Sequence, residues 1–155
     1  MNFLSEMLFC RAARFYDGLF EAGHISPTYS YGYSAQGGLC PIAYHSVEGE
    51  ADDPDRILRT YFDYIEQLRQ TGLSREDFER MRRVLYAGYV SQFDFPDDIA
   101  DMLCDCHGEG RGLFDPLTVL QNITFEEVEA LFCDSFDPRA TVFAVINPDP
   151  KNKED

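Results

Sequence analysis

The chain has 155 residues, with 13 Lys+Arg against 28 Asp+Glu and a formal charge of −15. That length suits a single domain that can bury a core without staples, and 45% hydrophobic with 14% aromatic residues excludes a disordered chain. So acidic a surface favours solubility and repels phosphate backbones and anionic lipid, so neither nucleic acid nor a membrane is expected as a partner.

The first predicted element is a helix over 4–22, where Leu4, Leu8, Ala12, Phe15 and Leu19 recur at helical spacing and Gly23 offers a stop. The period then drops to two. Tyr29, Tyr31 and Tyr33 alternate with Ser30, Gly32 and Ser34, a strand with one aromatic face. Gly37-Gly38 makes a turn, and an extended pattern resumes over 39–46 with Ile42 and Tyr44 on one side. Pro41 lacks a backbone donor and suits an edge. The stretch reads as a β-hairpin.

Asp53 and Pro54 open the next helix as cap and first-turn residue. Its apolar stripe is Ile57, Leu58, Tyr61, Phe62, Ile65 and Leu68, and Gly72 ends it. Ser74, with Asp77 three residues on, caps a further helix. Phe78, Met81, Leu85 and Tyr89 form its buried face, and Arg75, Arg80, Arg82 and Arg83 its exposed one. In so acidic a chain these arginines are expected to pair with the protein's own carboxylates. Helices follow over 97–106 and 116–121, and Thr124 with Glu127 forms a capping box for a helix to about Phe136. The apolar run ATVFAVI at 140–146 predicts a buried central strand. The polar stretch 149–155 predicts a fraying tail.

The order is helix, hairpin, helices, strand, within one domain spanning 1–148. That is an α+β arrangement, an antiparallel sheet with helices packed on one face. Three strands are few for so many helices, so the expected sheet is incomplete and the chain an N-terminally truncated part of something larger. No apolar run approaches membrane-spanning length. The opening MNFLSEMLFCRAARF has no basic n-region or small-residue cleavage site, and the five cysteines follow no framework spacing. A reduced cytoplasmic protein with free thiols is expected.

Candidate chemistry gathers in CDCHGEG at 104–110. Cys104, Cys106 and His107 are soft ligands, but structural zinc sites use wider knuckles and a second pair elsewhere. On a helix, positions 104 and 106 point about 200° apart. The favoured reading has small buried thiols and a helix ended by His107 and Gly108, with a thiol–metal site as the alternative. His45 and Glu48 have the interval of half an inverted H-x-x-E-H motif, but Gly49 stands where the second histidine is required. No G-x-S-x-G elbow, P-loop or dinucleotide fingerprint occurs. Catalytic, cofactor and metal residues are therefore all read as none.

Three stretches carry a resemblance. SEMLFCRAARFYDGLFEAGHISPTYSYGYSAQGG at 5–38, DPDRILRTYFDYIEQLRQTGLSREDFERMRRVLYAGYVSQFD at 53–94 and LTVLQNITFEEVEALFCDSFDPRATVFAVINP at 117–148 cover most of the chain. Together they resemble the C-terminal, non-zinc domain of zinc proteases of the pitrilysin, insulinase and mitochondrial processing peptidase group. GLSREDFERMRRVL is the strongest part. The resemblance implies an α/β sandwich of the LuxS/processing-peptidase type, and halves that close around peptide substrates. It also implies that zinc sits in an upstream or partner domain through H-x-x-E-H, which this chain lacks. In the family, the opposite half supplies an arginine and a tyrosine that assist at the substrate carbonyl. The matching run here is LFEAGHISPTY, where Phe20 stands at the arginine's position, with Tyr29 or Tyr31 as the tyrosine. The pair is broken. The resemblance thus implies a structural, chamber-forming domain without zinc of its own, its hairpin edge at 28–35 open to an extended peptide or to further strands. The alternative is a stand-alone acidic interaction module derived from an inactive peptidase.

Overall fold

The computed structural model of the chain describes residues 2–36 and 42–147. Helix α1 (Asn2–Phe9) and helix α2 (Arg14–Glu21) precede a hairpin of β1 (Ser30–Gln36) and β2 (Ile42–Glu48). Then come α3 (Pro54–Thr71), α4 (Arg75–Ser91), a 3-10 turn (Gln92–Asp94), α5 (Pro96–Glu109), α6 (Asp115–Asn122), α7 (Phe125–Asp134) and a second 3-10 turn (Pro138–Ala140). The architecture is α+β, as expected, with an antiparallel two-stranded sheet among the described residues. The Gly37-Gly38 turn, Pro41 and the tail at 149–155 lie outside those residues.

The first expectation fails at one place: 4–22 is two helices. Ala13 is extended at φ −92° and ψ 149°, and the periodicity slips there by one residue, since Ala13 is buried and Ala12 exposed. The break turns Arg11 back on the chain. Its guanidinium donates to the carbonyls of Pro27 at 3.0 Å and Tyr29 at 3.1 Å, satisfying two acceptors where the strand begins.

Helix α1 lies at the centre. Phe3, Leu4, Ser5, Met7, Leu8 and Phe9 are all buried, so it is covered almost all round, as an interior helix should be. Phe9 is the aromatic hub. Its ring stacks on His45 of β2 at 5.2 Å and on Tyr61 of α3 at 5.7 Å, and meets Phe15 of α2 edge-on at 5.4 Å. Phe136, just past α7, closes the cluster at 6.0 Å. Phe3 reaches Phe78 of α4, which in turn meets Phe125 of α7, so the core runs on into the second half of the chain.

The caps follow the sequence. Asp53 accepts from the Arg56 N–H, Ser74 from the Asp77 N–H, and Thr124 forms a reciprocal capping box with Glu127. Gly72 ends α3 at φ 78°, a conformation open to glycine. The stripe on α3 is only half buried, with Ile65 alone fully inside. The α4 arginines find carboxylates: Arg75 with Glu126 at 2.6 Å, Arg80 with Asp77 at 3.1 Å and Arg82 with Glu79 at 2.7 Å. Arg83 instead donates to the Glu79 carbonyl. Arg75–Glu126 is exposed and the other two pairs only part-buried, so each contributes little stability.

In the hairpin, Tyr33 sits opposite His45 and Tyr31 opposite Val47, sharing the face that packs on the helices. Gly32, Ser34, Ser46 and Tyr44 take the other face by alternation. The second strand runs to Glu48, two residues beyond the expected end, and its Ile42 and Tyr44 are exposed on the outer side.

The second correction is the end of the chain. The run at 140–146 is not a buried strand. Ala140 closes the 3-10 turn, Thr141 is extended, and 141–147 belongs to no strand or helix among the described residues and is exposed throughout. Val142 is 92% and Ile146 98% exposed. The described sheet offers this segment no ladder, and a strand without one leaves its backbone groups to water.

Truncating the hub at Phe9→Ala is expected to cost about 3–5 kcal/mol, because a buried aromatic and its contacts are lost together. Ser5 is the contrasting case. Its hydroxyl is buried without a partner among the described residues, so Ser5→Ala is expected to be neutral or stabilising. Urea midpoints of the two variants check both; a destabilised Ser5→Ala contradicts the unpaired hydroxyl.

Candidate functional site

The positions matched to an arginine–tyrosine pair lie where α2 hands over to β1. Phe20 is half exposed, its ring stacked on Tyr16 at 5.5 Å, and Tyr16 meets Tyr29 edge-on at 5.0 Å. Tyr29 is buried, and its phenol donates to the Phe9 carbonyl at 2.7 Å. Tyr31 donates to Glu6 Oε2 at 2.6 Å. Burial pushes both phenols well above the ordinary tyrosine range, and Tyr31 is raised further by its bond to the Glu6 carboxylate. Both hydroxyls are thus held protonated and aimed into the helical layer. Arg11 is near, but its guanidinium is bonded to the Pro27 and Tyr29 carbonyls. Sequence reading missed Arg11 because a link to main-chain carbonyls 16 and 18 residues away leaves no local motif.

At CDCHGEG the helix continues past the expected stop. Helix α5 runs to Glu109, and Gly110 caps it in the left-handed region at φ 68°. The Gly110 N–H bonds to the His107 carbonyl, and the Arg111 N–H bonds to that of Cys106 at 3.0 Å. Gly108 therefore lies within the helix and does not end it. Cys104 is exposed and Cys106 buried, as the angular separation demands. Cys106 Sγ accepts from Arg111 Nη1 at 3.2 Å, and His107 faces solvent. Among the described residues, no three His, Cys, Asp or Glu side chains are placed to hold a metal ion.

His45 and Glu48 do not converge either. Strand alternation puts them on opposite faces of β2. A β-carbon at Gly49 would stand 3.3 Å from Tyr29 Cα, so a larger residue there would press on the backbone. His45 Nε2 lies 2.6 Å from the Tyr61 hydroxyl. Burial holds the imidazole below its ordinary value and the Tyr61 phenol above its own. A protonated phenol donating to a neutral ring nitrogen fits both. A cleft of about 390 Å³ lies between the α1–α2 junction and the α3–α4 turn, lined by Met7, Leu8, Arg14, Tyr64, Asp77 and Arg80. Its Arg80 is already paired with Asp77.

No family model matches the chain. A curated relative, the uncharacterized zinc protease YmfH of Bacillus subtilis (strain 168), is 28% identical over 149 residues. The match covers 94% of this chain but only 33% of the relative, so the chain spans about a third of that protein's length. The crystal structure of a "putative M16-like peptidase" from Alicyclobacillus acidocaldarius superposes with a TM-score of 0.75 at 24% identity, covering 85% of this chain and 31% of the other. That of a "putative zinc protease" from Bordetella pertussis Tohama I gives 0.65 at 17% identity, covering 86% and 75%. The fold is that of M16-like peptidase domains, and the resemblance to pitrilysin-like zinc proteases holds. Among the described residues, no helix is long and apolar enough to cross a membrane.

His45 makes stability depend on pH. Its folded value lies below the ordinary 6.5, so on acidification the unfolded chain takes up the proton first. Stability is then lost as the pH falls from about 7 towards the folded value. His45→Phe keeps a ring against Phe9 and removes this component. Urea midpoints between about pH 7.5 and 5.5 are expected to fall more steeply for the wild type than for His45→Phe; parallel profiles contradict the assignment.

Proposed function

We propose that this chain is a non-catalytic domain of a pitrilysin-like zinc metallopeptidase. Its role is to pack beside the zinc-bearing domain and help wall the chamber that holds peptide. The zinc, its H-x-x-E-H ligands and the general base belong to an upstream or partner domain, and this chain carries no cofactor. The observation that carries the reading is the hand-over from α2 to β1. Phe20 stands where an assisting arginine is required, and the Tyr29 and Tyr31 hydroxyls are bonded inward, to the Phe9 carbonyl and Glu6. A phenol held that way cannot reach a substrate carbonyl, so the contribution is shape and contact area. The peptidase matches along 85–94% of the chain support the same reading.

The assembly works on peptides in the cytoplasm. Nucleic acid and membrane are not partners, since a charge of −15 repels both phosphate and anionic lipid.

The test is co-purification with the H-x-x-E-H-bearing region encoded in the same or a neighbouring reading frame. Binding at micromolar concentration is expected, together with no hydrolysis of unstructured peptides by this chain alone. Cleavage by the isolated chain, or stoichiometric zinc in it, overturns the reading. An open reading frame with no such region nearby favours the stand-alone module.

A further inference from the structure

The segment 141–147 leaves the second 3-10 turn with Thr141 in an extended conformation, φ −102° and ψ 136°. Val142 is 92% and Ile146 98% exposed, against 44% at Phe143 and at Val145. In a strand, Val142 and Ile146 share one face and Phe143 and Val145 the other, which fits those values. A single exposed valine needs no explanation, but consecutive strand-forming residues, open on both sides, do.

The pattern narrows what covers it. A strand that borders water carries one apolar and one polar face. Here Val142 and Ile146 line one side, Phe143 and Val145 the other, and Ala144 lies between. A segment apolar on both faces is built for the middle of a sheet, covered permanently, and not for the reversible capture of a peptide at an edge. A second copy of this chain is a poor occupant. Each copy carries a charge of −15, which opposes pairing, and self-pairing leaves the outer edges of both arms open. The curated relative and the M16-like peptidase, by contrast, are each about three times as long as the region matched.

We propose that 141–147 is an interior sheet strand whose neighbouring strand is supplied by the zinc-bearing remainder of the same peptidase, making this arm the principal docking element of the domain. The inference rests on the function proposed above and deepens it by naming the residues through which the two parts join. The partner contributes a strand to pair the arm's backbone and apolar cover for the faces of Val142 and Ile146.

The probe is the H-x-x-E-H-bearing region, tested against wild-type chain and against the Val142→Asp/Ile146→Asp double variant. Since the two side chains are almost wholly exposed here, the variant is expected to keep the wild-type thermal midpoint. It is also expected to lose binding at least about tenfold, and in the wild-type complex the amides of 142–146 should exchange at least about 100-fold more slowly than in the chain alone. If wild type and variant bind equally, the arm is not the docking element and the inference falls, while the proposed function stands. If neither binds, both fall. If sedimentation shows a dimer of the isolated wild-type chain that the variant abolishes, the occupant is a second copy and the inference is overturned. A lowered midpoint in the variant shows that the arm packs within this chain, with the same result.

Discussion

The three-ring cluster of Phe9, His45 and Tyr61, each in contact with the other two, is the contact on which the remaining arrangement depends. It is where α1, α2, β2, α3 and the exit of α7 all meet, through rings 5.2–6.0 Å from a side chain with no exposure. A two-stranded hairpin has too little surface to be stable by itself. Here its inner face, with Tyr31, Tyr33, His45 and Val47, is held because α1 supplies a buried wall and Phe9 fills the space between strand and helices. The hydrogen bonds that anchor the strand entry come from the same helix and the break after it: Tyr29 to the Phe9 carbonyl, Tyr31 to Glu6, and Arg11 back to the Pro27 and Tyr29 carbonyls.

This dependence explains the functional character of the surface. Side chains that could do chemistry, Tyr29, Tyr31 and His45, are used to attach the hairpin to the helices. Burial keeps the Tyr29, Tyr31 and Tyr61 phenols protonated and the His45 imidazole neutral. Outward on the hairpin lie Ser30, Gly32, Ser34, Ser46, Glu48 and two exposed apolar groups, Ile42 and Tyr44.

Local chemistry was legible in the sequence wherever it was written in adjacent residues. The three caps at Asp53, Ser74 and Thr124 each rest on a donor three positions on, and each is present. The α+β class followed from the change of period at residue 29. The break at 10–13 was not legible, because Ala12 and Ala13 satisfy the same pattern and the choice is made by Arg11 reaching residues 16 and 18 positions on. The end of α5 was misplaced by taking Gly108 for the cap; only the left-handed turn at Gly110 decides it. At the candidate site, Phe20 could be matched by position alone, whereas the inward direction of Tyr29 and Tyr31 needed three dimensions. The segment at 141–147 is the most telling case. Its composition states the environment it is made for, and that environment is not supplied by the described residues.

One detail at the root of that segment carries a consequence of its own. Phe136 takes φ 63°, a conformation costly for a bulky side chain. Two donations from Arg69 Nη2, at 3.2 Å to the carbonyls of Ser135 and Phe136, hold the backbone there, and the ring is wedged between His45 and Phe132. The chain therefore departs from α7 along a direction fixed in advance. An incoming neighbour has only the few residues beyond the pivot left to immobilise, and the entropic toll of annealing shrinks accordingly. The torsional strain at a single aromatic residue thus serves as preorganisation for whatever meets the arm.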